Sequence, residues 1–141
     1  MRYWDASALV PLLIAQPASA HSRSAYREDP TVTTWWATSL ECHSAIARIE
    51  REAAAPALVQ EALARLARLE FEWIEIAPSN YVRLTASRLL RTHPLRTGDA
   101  LQLASAIAAA DGNPRALPFV TFDERLALAA SKEGFPIIGP V

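Results

Sequence analysis

The stretch Leu95-Arg96-Thr97-Gly98-Asp99-Ala100-Leu101-Gln102-Leu103-Ala104-Ser105-Ala106 constrains this chain most. Between Ala100 and Ala110 only Gln102 and Ser105 are polar, so a helix here is apolar nearly all round. Such a helix has to be covered on most of its faces, which requires a layered fold. Thr97 is placed to cap it, leaving Asp99 in the first turn, where a carboxylate is favoured. An acid at the mouth of a buried helix either caps the backbone or faces something that wants it ionised. Its neighbours in the chain bear on that choice.

Around this helix, short β-branched or aromatic runs alternate with helical ones. Residues 2–4 read as a strand ended by Asp5, after which Ser7 can cap a helix over 8–15 with Pro11 in its first turn. A short helix over 18–27 follows, then a strand over 31–35 and a long helix from Thr38 to about Glu52. Pro56 restarts a helix with leucines at 58, 63, 66 and 69, forming an antiparallel helical hairpin with its predecessor. Residues 71–76 alternate and read as a third strand near an edge. Ser79 caps a helix that Pro94 ends, and Asp111 to Pro114 form a loop after the Asp99 helix. A strand over 119–121, a helix over 125–132 stopped by Gly134, and a last strand over 136–138 complete the chain. Strands alternating with helices predict an α/β fold, a three-layer α/β/α sandwich with a parallel sheet of about five strands. Ligands in such folds sit at the carboxyl ends of the strands.

At 141 residues and 51% hydrophobic, the chain is expected to form one domain over residues 1–141. A single cysteine, Cys42, excludes an internal disulfide and a cysteine zinc cluster. The amino end reaches a charge before any leader-length apolar run, and residues 8–15 are too short to span a bilayer. A cytoplasmic protein without membrane contact is the expectation. Net charge is −1, unlike a plain basic nucleic-acid binder. Once four acidic residues are withdrawn onto a metal, however, the 14 basic residues outnumber the rest, and all but Lys132 are arginine.

Four carboxylates fall where strands hand over to helices: Asp5, Glu41, Asp99 and Asp123. Two unpaired carboxylates about 4 Å apart repel by roughly 4 kcal/mol at an effective dielectric near 20. A cluster of four is therefore stable only if some are protonated or a hard cation lies among them. Ligation by oxygen alone points to Mg²⁺, with Mn²⁺ as substitute. Each acid also has a structural reading. Thr38-x-x-Glu41 fits a capping box, and Asp123 fits an N-cap. Asp5, directly after Tyr3-Trp4, has no evident structural task.

The pattern resembles the PIN-domain ribonucleases, specifically the VapC-type toxins of bacterial toxin–antitoxin pairs. The matching residues are Asp5-Ala6-Ser7-Ala8-Leu9, Ser39-Leu40-Glu41, the stretch Leu95 to Ala104, and Thr121-Phe122-Asp123. The resemblance spans essentially the whole chain in order, and the third motif is the specific one. It implies a metal-dependent endoribonuclease whose metal-binding acids are Asp5, Glu41, Asp99 and Asp123, with Ser7 and Thr121 as hydroxyl helpers. It also implies a homodimer held in check by a cognate antitoxin whose tail enters the site. Arg96, beside the third motif, is expected to contact substrate phosphate or to pair with a nearby acid, since guanidinium binds both in a forked geometry. Cys42-His43 stand where an aliphatic pair is more usual, which puts the packing of that helix in question.

Other chemistries fit less well. A haloacid-dehalogenase-like phosphatase needs an aspartate at position 7, where this chain has Ser. A receiver domain needs a lysine at a late strand end, and Lys132 falls late in a helix. His21, His43 and His93 are scattered and read as surface or helix-end residues, and no serine elbow accompanies them. Trp35-Trp36 suit a core, an interface or base stacking. The rival of a different class is a non-catalytic PIN-fold module that binds RNA or protein. Loss of one acid would favour it, and all four are present.

Overall fold

The computed structural model describes residues 1–139. Its elements run β1 (Arg2–Trp4), α1 (Ala6–Leu13), α2 (Ser19–Glu28), β2 (Val32–Trp35), α3 (Thr38–Arg51), α4 (Pro56–Glu72) and β3 (Ile74–Ile76). There follow α5 (Asn80–Thr92), α6 (Thr97–Ala110), a single 3-10 turn at Pro114–Ala116, β4 (Phe119–Val120), α7 (Glu124–Lys132) and β5 (Ile137–Ile138). The sheet has the order β3-β2-β1-β4-β5, and all its strand pairs are parallel.

This order fixes where a site can form. The chain builds outward from β1 through β2 to β3, then returns to the other side of β1 for β4 and β5. Right-handed crossovers in opposite directions place their helices on opposite faces. The core accordingly divides in two. Tyr3 and Phe119 pack with Val82, Leu89, Leu103 and Leu126 of α5, α6 and α7. Trp4 and Val120 pack with Leu9, Ala25, Ile46 and Leu66 of α1 to α4. Adjacent β1 residues Tyr3 and Trp4 thus serve opposite cores, as the alternation of a strand demands, and both are fully buried. The order reverses between β1 and β4, and the crevice at their carboxyl ends is the topological switch point of the sheet.

The α6 residues Ala100, Gln102, Leu103, Ala104, Ser105 and Ala106 are buried, as the apolar run requires. Cys42 is fully buried in the second core and fills the place of an aliphatic residue there. Burial pushes its thiol up to about 12, so it acts as a small hydrophobe.

Several local expectations are corrected. The third strand is shorter than its alternation suggested, because α4 runs on through Phe71 and Glu72. Val59, Ala62 and Leu66 keep a helical rhythm of buried positions that carries α4 past the two-residue alternation, leaving Phe71 92% exposed. The cap of α1 is Asp5 rather than Ser7, and Pro11 lies in the helix interior. Arg96, not Thr97, is the N-cap of α6. The capping box at Thr38 does not form: Ala37 is the N-cap of α3. Ser79 caps α5 as expected, its side chain accepting from the Val82 N–H at 3.1 Å. No helix among the described residues is long and apolar enough to cross a membrane.

Candidate active site

Asp5 leaves β1 directly into α1, and its backbone N–H donates to the Val120 carbonyl of β4. Its side chain is therefore held at the switch point, only 5% exposed. Desolvation raises its carboxyl to about 7, hydrogen bonds from Ser7 and Thr121 oppose that rise, and the charge of Glu41 adds to it. Ser7 Oγ lies 2.7 and 3.0 Å from the two Asp5 oxygens and 3.2 Å from Thr121 Oγ1. Both expected hydroxyl helpers thus gather at Asp5.

Glu41 lies in the first turn of α3, with its carboxyl raised by desolvation and by the charge of Asp99. Its Oε1 accepts a 2.8 Å hydrogen bond from Gln102 Nε2. Asp99 lies in the first turn of α6, raised by desolvation and by Asp123, while Arg96 and Arg125 oppose the rise. Asp123 caps α7, accepting from the Leu126 N–H at 2.9 Å. The structural reading of Asp123 is therefore correct, and it does not exclude a second task, since its other oxygen is not used in the cap.

The four acids influence one another in a row, Asp5 with Glu41, Glu41 with Asp99, and Asp99 with Asp123. None takes part in an ion pair among the described residues. Nor, among those residues, is any set of three or more His, Cys, Asp or Glu side chains arranged to hold a metal ion as it stands. The donor chemistry nevertheless fits a hard divalent cation: carboxylates only, none of them held in an ion pair among the described residues.

An open cleft of about 480 Å³ is lined by Arg96, Gly98, Asp99, Asp123, Glu124 and Arg125. Arg96 is thus beside the acids, as expected, and Arg125 joins it from the first turns of α7. Sequence reasoning passed over Arg125, although its position two residues after Asp123 places it at the same helix mouth. It also passed over Gln102, whose signal was visible as a polar interruption of an otherwise apolar helix.

The comparisons with known proteins agree with this architecture. The chain matches the PIN domain family over residues 2–132. It belongs to that family. The parallel five-stranded sheet between helices is that of a PIN-like sandwich. Among solved structures, VapC20 of Mycobacterium tuberculosis, described as a sarcin-ricin loop cleaving toxin, is similar at a TM-score of 0.69 and 18% identity, covering 99% of this chain and 100% of that one. FitAcB from Neisseria gonorrhoeae is similar at a TM-score of 0.68 and 14% identity, covering 99% and 98%. A toxin-antitoxin complex from Klebsiella pneumoniae contains a chain similar at 0.62 and 16% identity, covering 100% and 98%. At these identities the likeness concerns the PIN fold. No curated protein matches the sequence.

Proposed function

We propose that this PIN domain, spanning residues 1–141, is a Mg²⁺-dependent endoribonuclease acting as the toxin of a VapC-type toxin–antitoxin pair. The observation that carries the reading is the row Asp5, Glu41, Asp99 and Asp123, each acting on the next and none of them in an ion pair among the described residues. The structural likeness to chains described as a sarcin-ricin loop cleaving toxin and as part of a toxin-antitoxin complex supports it. A module that only bound RNA or protein had no need to keep all four acids.

In this reading Asp5 and Asp99 hold the cation directly, Glu41 binds it or orients the attacking water, and Asp123 completes the set. A divalent ion bound there supplies charge neutralisation at the phosphodiester and lowers the pKa of a water. Ser7 and Thr121 keep the Asp5 carboxylate in one orientation from outside the ligand set. Arg96 and Arg125, on the walls of the cleft, pair with substrate phosphates. The partners are RNA, a cognate antitoxin and a second copy of the chain, and the setting is the cytoplasm.

The test is expression with and without the neighbouring antitoxin reading frame, alongside cleavage assays on purified protein. Growth arrest relieved by the antitoxin, with RNA cleavage that needs Mg²⁺ or Mn²⁺, supports the reading. A well-folded protein that binds RNA but leaves it intact at saturating Mg²⁺ contradicts it. Arg96→Ala is expected to weaken RNA binding about tenfold while metal affinity holds.

A further inference from the structure

Gln102 is 2% exposed on a largely apolar helix, and its amide oxygen and both amide protons each have a side-chain partner. Its Oε1 accepts from the Tyr3 hydroxyl at 2.7 Å. Its Nε2 donates to Thr38 Oγ1 at 2.9 Å and to Glu41 Oε1 at 2.8 Å. The orientation of the amide is dictated from both ends. The Thr34 hydroxyl donates to the Trp4 carbonyl at 2.7 Å and to Thr38 Oγ1 at 2.8 Å, so Thr38 Oγ1 accepts from Thr34 and from Gln102 alike. A flipped amide sets its oxygen against the Glu41 carboxylate, which has no proton to give when ionised. At the other end Tyr3, fully buried, supplies the donor that the amide oxygen needs.

The network lies directly beneath the acids. Tyr3 on β1 precedes Asp5 by two residues, while Thr38 precedes Glu41 and Asp99 precedes Gln102 by three, about one helical turn. The helices α3 and α6 therefore each carry both an acid and a member of the network, and β1 leads from a third member to Asp5. An arginine or lysine at position 102 could also fix Glu41, but it would neutralise the charge. A neutral amide fixes the carboxylate and leaves its charge available to a cation.

We propose that Gln102 is a positioning residue for the acidic site, its amide locked by Tyr3 and Thr38 so that it holds the Glu41 carboxylate ready for metal and substrate. This rests on the reading of Glu41 as a site acid. The closing experiment therefore includes readouts that do not depend on RNA cleavage. In metal-free protein, the side-chain amide resonances of Gln102 are recorded by ¹H–¹⁵N NMR with and without Glu41→Ala. One amide proton is expected to shift when Glu41 is removed. Gln102→Met, similar in length and lacking donors, is expected to bind Mn²⁺ about 10–100-fold more weakly and to lower kcat, with KM for RNA nearly unchanged. Tyr3→Phe, which keeps the ring against Phe119, is expected to lose Mn²⁺ affinity in the same direction and serves if Gln102→Met does not fold. Amide resonances indifferent to Glu41→Ala, or a folded Gln102→Met with wild-type Mn²⁺ affinity, overturn the proposal. Wild-type protein that binds Mn²⁺ without cleaving RNA overturns the nuclease reading alone, and the affinity comparison still decides the role of Gln102. Wild-type protein that binds no Mn²⁺ overturns both.

Discussion

The hydroxyl of Ser7 is shared between the carboxylate of Asp5, 2.7 Å away, and the backbone N–H of Phe122, which donates to it at 2.9 Å. One side chain thus ties the exit of β1 to the exit of β4 across the point where the sheet order reverses. The buried acid depends on that tie for its orientation, because no basic residue is paired with it.

Ser7→Ala leaves a partly buried N–H and a carboxylate each short of a partner. We expect it to destabilise the protein by about 1–3 kcal/mol, measured by urea denaturation at neutral pH. Ser7→Thr keeps the hydroxyl and is expected to recover most of that loss. Equal destabilisation by both variants would show that the tie is unimportant and that packing dominates.

Asp5 is nearly fully buried with no cation beside it, so its charge opposes folding when metal is withheld. Asp5→Asn in excess chelator at pH 8 is expected to be more stable than wild type by roughly 1–3 kcal/mol, as relief of a poorly paired buried charge allows. Adding Mg²⁺ is expected to raise the wild-type melting temperature and to leave that of the variant almost unmoved. A variant less stable than wild type in chelator assigns Asp5 to the scaffold.

Far from the site, Glu133 accepts from Arg88 at 2.9 Å and lies 2.7 Å from the His93 ring, joining the end of α5 to the end of α7. The Arg88 hydrogen bond is the main reason its carboxyl titrates below the ordinary range, with desolvation opposing and His93 assisting. A carboxyl lowered in the folded state stabilises the fold above its unfolded pKa and loses that contribution as pH falls through the folded value. Glu133→Gln is therefore expected to cost on the order of 1 kcal/mol at pH 7, screening at the half-exposed Arg88 included, and progressively less below about pH 4. A cost that stays constant from pH 7 to pH 3 contradicts the ion-pair account.

A methyl group on Gly139 runs into the Thr121 carbonyl oxygen, a backbone contact that cannot yield by rotating a side chain. Gly139→Ala is expected to shift β5 against β4, to destabilise by about 1–3 kcal/mol, and to loosen Thr121 beside Ser7. Urea denaturation gives the first effect, and a fall in Mg²⁺ affinity gives the second. Wild-type values for both refute the close approach.

The layered fold was legible because the two periods stood apart: an α6 apolar on nearly every face, and short β-branched runs between helices. The period failed where the two rhythms overlapped, at residues 71–76: α4 runs on through Glu72, and the chain turns extended only at Trp73, which is buried in the second core. The acids were legible as a set because each followed a strand end or opened a helix. The local caps were less so. Ser7 and Thr97 are good capping types, yet the chain enters its helices one or two residues earlier, and Ser7 is drawn to Asp5 instead. The Glu41–Gln102 pairing spans 61 residues, and no local pattern announces it.

The most direct test is RNA cleavage by purified wild type and Asp99→Asn, each in Mg²⁺ and in excess chelator. Asp99 sits in the first turn of α6 beyond its Arg96 cap, and an asparagine oxygen can accept the same backbone hydrogen bond from Arg96, so the fold is expected to persist in the variant. The account predicts cleavage by wild type in Mg²⁺ alone, abolished by chelator and restored by Mn²⁺, with Asp99→Asn slower by at least about a hundredfold at equal abundance. Cleavage by folded Asp99→Asn at the wild-type rate, or wild-type cleavage undiminished in chelator, contradicts it.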